Sequence, residues 1–408
     1  MFIPRKLLFD LKRHLEKKEI SLILGPRQSG KTTLILKMKE DLEKKGKKTI
    51  YFNLDRFEDL ENFKTQKTLL EKIKFEFGEG KVYVFIDEIQ RLPNAGLFLK
   101  GLYDYLSPYK FIITGSGSLE LKENVVEPLT GRKKTFYLYP LSFEEFFQFK
   151  TGKEIGWFNR FYQVNEKEGE RLLDEYLVFG GYPKVVLSKT AKEKKEALEE
   201  IYTSYLEKDV RALLGVEKDL SYQYLLRYLA FETGSLIKKT EISRNLGLNI
   251  KTLNRYLFLL EKTFVIFLVR PFFRNPTKEI TKTPKSYFVD LGLRNFIIGN
   301  FSSFFKREDR GKVFENFVFR QILEKRPVFG IWFWRTETGA EVDFVFQEKE
   351  NLLPIEVKAS KKQFGLIGKS LLSFLEKYRL KKALIVHLGE EKAINKKGKK
   401  IIYKRIVF

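Results

Sequence analysis

The segment Gly25-Pro26-Arg27-Gln28-Ser29-Gly30-Lys31-Thr32 constrains this chain more than any other. It has the spacing GxxxxGK[ST], follows the apolar run EISLIL (19–24) and opens KTTLILKMKE, apolar at helical spacing. A loop between such a strand and such a helix aims backbone N–H groups and the positive helix end at one point, which suits phosphate. Lys31 then reaches the β- and γ-phosphates of ATP, and Thr32 holds magnesium. Residues Gly25 to Thr32, with Thr33, form the expected nucleotide contacts.

A second segment completes that chemistry. KVYVFIDEIQ is an apolar strand ending in Asp87-Glu88. Asp87 is expected in the magnesium sphere, and Glu88 is expected to polarise the attacking water. The next strand ends in Thr114-Gly115-Ser116-Gly117-Ser118, where a polar side chain could touch the γ-phosphate, although a plain Gly/Ser turn fits too. Arg132, in LTGRKK, could stabilise a transition state on a neighbouring subunit's nucleotide, which would require a homo-oligomer; a solvent-facing arginine is the alternative.

Around these motifs, EISLIL, KTIYFNL (48–54), KVYVFID (81–87), KFIITG (110–115) and TFYLYP (135–140) alternate with amphipathic helices. Their nearly continuous apolar text suits strands of a parallel sheet covered on both faces. We therefore expect a P-loop ATPase core over 1–140 and a helical lid over 141–220. A winged helix-turn-helix follows over 221–299, and a second α/β unit over 300–408, in an α/β multidomain chain.

The motifs GPRQSGKTT, FIDEIQ, ITGSGS, LTGR, YPLSFEEF and FGGYP, in that order, resemble a family of archaeal and bacterial AAA-type ATPases that carry a C-terminal domain of unknown function. The resemblance covers nearly the whole chain. It implies an additional-strand, catalytic-glutamate P-loop fold with Glu88 as the matching catalytic position.

Composition narrows the chemistry further. The chain has 408 residues, no cysteine and 2 histidines, His14 and His387, so disulfides, thiolate metal sites and histidine-based catalysis are disfavoured. Metal chemistry must use carboxylates, favouring magnesium. Lys and Arg total 77 against 53 Asp and Glu, a formal charge of +24, which favours nucleic acid, DNA first. The charged surface of a thermophile accounts for many of these residues but not for the imbalance. No apolar run is long enough to cross a bilayer, and the charged first twenty residues lack a signal-peptide block, so a cytoplasmic location without membrane contact is expected.

In the third unit, TEISRNL, Gly247-Leu248-Asn249 and IKTLNRYLFLLEKT read as helix, turn and helix, with Asn249 as N-cap. Ile242, Leu246, Leu253, Leu257 and Leu260 should point inward. Lys251, Asn254 and Arg255 should face solvent, where a recognition helix meets DNA. Such units also mediate protein contacts. FVIFLVRPFF and KSYFVD could supply the wing.

In the last unit, AEVDFVFQEKENLLPIEVKAS reads as two paired strands. Alternation puts Val342, Phe344 and Phe346 on one face, and Asp343 with Glu356 and Lys358 on the other. Asp343 and Glu356 could bind magnesium while Lys358 orients a water. The spacing D-x12-E-x-K resembles the PD-(D/E)xK signature of restriction-endonuclease-like folds, without the proline before Asp343. That resemblance implies Glu315, on the preceding helix, as a further acid. The sequence thus admits an ATPase acting with nucleic acid, a nucleotide-controlled switch whose last unit only binds a partner, and an ATP-regulated DNA nuclease.

Overall fold

Strands β1 (Ile20–Gly25), β2 (Thr49–Asn53), β3 (Tyr83–Asp87), β4 (Lys110–Ser116) and β5 (Lys133–Tyr137) form a parallel sheet in the order β2-β3-β4-β1-β5. β1, β3 and β4 are buried along their whole length, which is why their text is apolar without alternation. Strand β4 lies between β1 and β3, the inserted strand that the catalytic-glutamate class requires. β5 starts two residues earlier than its apolar text, and its outer side is exposed, as an edge strand allows. In the computed structural model the described residues are 2–105, 108–116, 127–205, 220–273, 279, 282–325, 330–348, 351–361, 365 and 367–406.

Helices α1 (Leu7–His14), α2 (Lys31–Glu43), α3 (Phe57–Glu61), α4 (Gln66–Phe77) and α5 (Ala95–Asp104) accompany this sheet. Helices α6 (Phe143–Thr151), α7 (Phe158–Val164), α8 (Glu166–Phe179), α9 (Pro183–Leu187) and α10 (Ala191–Tyr205) follow, so the region expected to be helical is helical. Ser142 and Glu145 close a reciprocal capping box at the start of α6.

Next come α11 (Leu220–Phe231), α12 (Lys239–Leu246) and α13 (Ile250–Lys262), then β6 (Ile266–Pro271), β7 (Lys285–Phe288) and α14 (Leu291–Ile298). Gly247 takes a left-handed conformation after α12, and the Asn249 side chain accepts the Thr252 N–H at 2.8 Å, as the sequence indicates. Ile242, Leu253, Leu257 and Leu260 are buried, but Leu246 is only partly covered; Leu248 of the turn fills the core instead.

The final elements are α15 (Arg310–Lys325), β8 (Ile331–Arg335), β9 (Glu341–Glu348), β10 (Asn351–Lys358), α16 (Lys369–Lys377), β11 (Lys382–His387), β12 (Lys392–Lys396) and β13 (Lys399–Lys404). The second sheet runs β12-β13-β11-β10-β9-β8-β6-β7. β6 and β7 pair antiparallel, yet β6 also pairs with β8 through Arg270 and Pro271. The two strands anticipated as a wing therefore extend the C-terminal sheet across residue 300.

Aromatic side chains join the units. Tyr139 meets Phe267 edge-on at 5.8 Å between ring centroids, and Phe143 meets Phe317 at 5.5 Å. The FGGYP segment is a second joint. Asp290, the N-cap of α14, accepts the Gly181 N–H at 2.7 Å, and Asn295 donates to the Leu177 and Val178 carbonyls at the end of α8. A Cβ on Gly181 would sit 2.1 Å from the Leu141 carbonyl oxygen, so only glycine permits this approach. Gly181→Ala should cost about 1–3 kcal/mol, as overpacking does, and lower the melting temperature. Gly311→Ala, where an added Cβ meets nothing, should leave it unchanged. Equal melting temperatures for both variants and the parent would refute this joint.

Candidate nucleotide site and C-terminal carboxylate cluster

The phosphate loop has the geometry that its sequence requires. Gly25 could carry no side chain, because a Cβ would lie 2.1 Å from the Leu138 carbonyl oxygen of the neighbouring strand end. Gly30 turns the chain into α2 with φ 95°, and no side chain caps that helix. Its first N–H groups are thus available to an anion. Lys31 is buried, with its ammonium on the Gly25 and Pro26 carbonyls at 3.0 and 2.8 Å. The Ser29 hydroxyl is buried inside the loop without a hydrogen-bond partner. Arg27 and Gln28 lie on the loop's outer arc, and Thr33 is exposed one residue into α2. These features fit a bound triphosphate.

Asp87 organises the rim. Thr32 donates to its Oδ2 at 2.7 Å, Tyr51 to the same oxygen at 3.1 Å, and Thr114 to its Oδ1. Thr32 and Asp87 therefore lie together where magnesium bridging the phosphates would be held. The Glu88 N–H donates to Thr114 Oγ1 at 3.2 Å, while the Glu88 backbone takes a left-handed φ of 59°. Such a backbone costs a non-glycine residue about 1–3 kcal/mol and is held by its surroundings. Gln90 donates to the Glu88 carboxylate and accepts the Ser116 N–H at 3.2 Å.

Sequence reasoning missed Tyr51, Gln90 and Arg5. Gln90 lay in the quoted motif, two residues from Glu88, and could have been found. Arg5 could not: it reaches across the fold to the Ser29 carbonyl at 2.8 Å and the Tyr139 carbonyl at 2.5 Å, and pairs with Glu145. Thr114 does contact this site, through Asp87. Gly117 and Ser118 lie outside the described residues.

Arg132 sits elsewhere. Its carbonyl accepts the Ile20 N–H, at the opposite end of β1 from the phosphate loop. Six residues of strand separate the two, roughly 16–20 Å at ~3.3 Å per residue. Its guanidinium donates to both Asp104 oxygens, at 2.8 and 3.2 Å. Arg132 is therefore no part of its own chain's nucleotide site.

In the C-terminal unit, alternation fails at the residue that matters most. Trp332 pairs with Val345 and Trp334 with Val342, so Asp343 and Phe344 together oppose Phe333 in a β-bulge. Val342 consequently packs with Val345 in the cluster around Leu371 and Phe374, not with Phe344 and Phe346. The expected single face bearing Asp343, Glu356 and Lys358 is broken for this reason. Asp343 comes near Glu315, while Glu356 packs against Gly368 at the start of α16.

Each carboxylate has a partner from the protein itself. Asp343 accepts the Val357 N–H at 2.7 Å, and Glu356 pairs with Lys358 at 2.7 Å. Glu315 accepts the Tyr287 hydroxyl at 2.5 Å and pairs with Lys285 at 3.2 Å. Lys285 also pairs with Glu341 at 2.6 Å. Burial, and then the Glu315 charge, push the Asp343 carboxyl up to about 7. Among the described residues, no three His, Cys, Asp or Glu side chains are arranged to hold a metal. Asp343 and Glu356 as placed thus do not fit magnesium. Glu341, two residues before Asp343, was legible as a candidate; Lys285, 30 positions before Glu315, carried no signal.

On α13, Lys251, Asn254 and Arg255 are exposed together, as expected, and Phe258 extends the same face. An open groove of about 520 Å³ lies between this helix and β6, lined by Lys238, Lys239, Asn254, Phe258, Arg270 and Lys282.

Residues 17–147 match the family model described as AAA domain. With the sheet order and the loop, this segment is a P-loop domain of the AAA type. Residues 170–303 and 310–405 match two domains of unknown function, DUF8612 and DUF4143. An uncharacterized protein of Haemophilus influenzae is 26% identical over 351 residues, 83% of this chain and 82% of that protein. Rv2008c of Mycobacterium tuberculosis is 27% identical over 94% of this chain and 79% of its own length. MJ1544 of Methanocaldococcus jannaschii is 28% identical over 85% and 76%. Among solved structures, the Aeropyrum pernix ORC1 protein in complex with DNA aligns with a TM-score of 0.31 and 13% identity, over 74% of this chain and 93% of its own. AMPPCP-bound DnaA from Aquifex aeolicus aligns with a TM-score of 0.27 and 15% identity, over 64% and 90%. None of the described helices is long and apolar enough to cross a membrane.

Glu88→Gln keeps the shape of the site and removes the base. ATP should still bind, with turnover down about 10²–10⁴-fold; unchanged turnover would show that another group activates the water.

Proposed function

We propose that this protein is a magnesium-dependent ATPase that works with nucleic acid, DNA first. The observation that carries this is the convergence of Lys31, Thr32, Asp87 and Glu88 at an uncapped helix N-terminus. ATP would lie along residues Gly25–Thr33, with magnesium held through Thr32 and Asp87. Magnesium supplies charge neutralisation on the phosphates. Lys31 adds its cation there, Glu88 takes a proton from the attacking water, and Gln90 and Thr114 position Glu88. Arg132 contributes only if a second copy presents it, after release from Asp104.

The nucleic-acid half rests on the charge of +24 and on the exposed face of α13. On this reading the α12–α13 pair is the helix-turn-helix of a winged unit, and β6–β7 serve as its wing while also extending the C-terminal sheet. The same sheet carries nucleotide-driven motion toward the C-terminal carboxylates. Helix, three antiparallel strands, helix and parallel strand occur there in the order of restriction-endonuclease-like folds. The meeting of Asp343 with Glu315 favours an ATP-regulated nuclease as a second reading. The pairing of Glu315 and Glu341 with Lys285 favours a module that binds without cutting. Cellular location is proposed as cytoplasmic.

If contacts to phosphate dominate, DNA affinity should fall steeply with salt, and Lys251→Ala with Arg255→Ala should lower both affinity and the salt slope by about 2. Affinity unaltered by the double substitution would remove α13 from the interface. For the nuclease reading, magnesium-dependent nicking should vanish in Asp343→Ala; equal nicking by that variant would exclude the cluster as its source.

A further inference from the structure

Lys285 is the least expected residue of the C-terminal cluster. It belongs to β7, outside the α15–β13 unit, and its side chain is 4% exposed. Its ammonium lies 2.6 Å from Glu341 and 3.2 Å from Glu315, and 5.4 Å from the centre of the Phe333 ring. Phe333 is the residue opposite the bulge that delivers Asp343. A buried ammonium is costly unless carboxylates surround it, and carboxylates gathered away from water are costly unless a cation joins them. Each here supplies what the other lacks.

We propose that the Lys285 ammonium is the resident cation of this cluster, and that a divalent cation enters only by displacing it. Without the ammonium, Glu315, Glu341 and Asp343 would bring three carboxylates and the Tyr287 hydroxyl to one place, the oxygen-only donor set of a hard cation. A further carboxylate oxygen, Glu356 Oε2, is buried nearby with no hydrogen-bond partner, on a side chain 8% exposed. Displacement has a structural route. Lys285 lies five residues before Asp290, which holds Gly181; Pro183, two residues on, packs against Gly30 of the phosphate loop. Movement of the loop can therefore pull on β7 without touching the C-terminal unit directly.

The test uses the full chain without nucleotide and reads Mn²⁺ binding by electron paramagnetic resonance. The parent and Lys285→Arg should show no saturable site below about 1 mM, the weak end of carboxylate sites. Lys285→Met should gain a site at least tenfold tighter, lost again when Asp343→Asn is added. Equal Mn²⁺ binding by the parent and Lys285→Met overturns the proposal, as does a folded Lys285→Met that binds none. Should Lys285→Met not fold, the parent alone decides. Reductive methylation followed by mass spectrometry should leave Lys285 unmodified without Mn²⁺ and modify it with excess Mn²⁺; equal labelling in both conditions overturns the proposal.

Discussion

The Asp87 carboxylate is the interaction on which the nucleotide site depends. It ends β3 and accepts hydroxyls from α2, β2 and β4, through Thr32, Tyr51 and Thr114. Hydrogen bonds to a charged group contribute about 1.5–3 kcal/mol each, and one buried group left unsatisfied costs as much. Asp87 is 1% exposed, so these bonds are not exchanged freely with water. They set the order of the strand ends: the phosphate loop, Asp87 and Thr114 must come level before the carboxylate is satisfied. Glu88, next in the chain, is then brought to the same edge.

The rest of the molecule is attached to this edge by backbone contacts that leave no room. Leu138 closes on Gly25, Leu141 on Gly181, and Pro183 on Gly30. Asp290 and Asn295 then bind the end of α8 to α14. A change in the loop is transmitted here through packed backbone, which has few alternatives to moving as a unit. The continuous sheet from β7 to β12 is the other half of that arrangement.

Much of this was legible. The five core strands could be read because both of their faces are buried, and the phosphate loop because its chemistry tolerates little variation. Asn249 as a cap was legible because capping is local. What was not legible is non-local. The pairing of Arg270 with Trp332, which carries the second sheet past residue 300, joins positions with no common pattern. The bulge at Asp343 breaks the two-residue period that the reading relied on, and only the partner strand reveals it. Lys285 reads as an ordinary lysine at a strand start until α15 and β9 are folded against it.

The most direct measurement is ATP hydrolysis by the purified full chain, with and without magnesium, beside Lys31→Ala. The account predicts magnesium-dependent turnover that falls at least a hundredfold in the variant. Turnover of equal rate in the two proteins, or a parent that neither binds nor hydrolyses ATP, would contradict it.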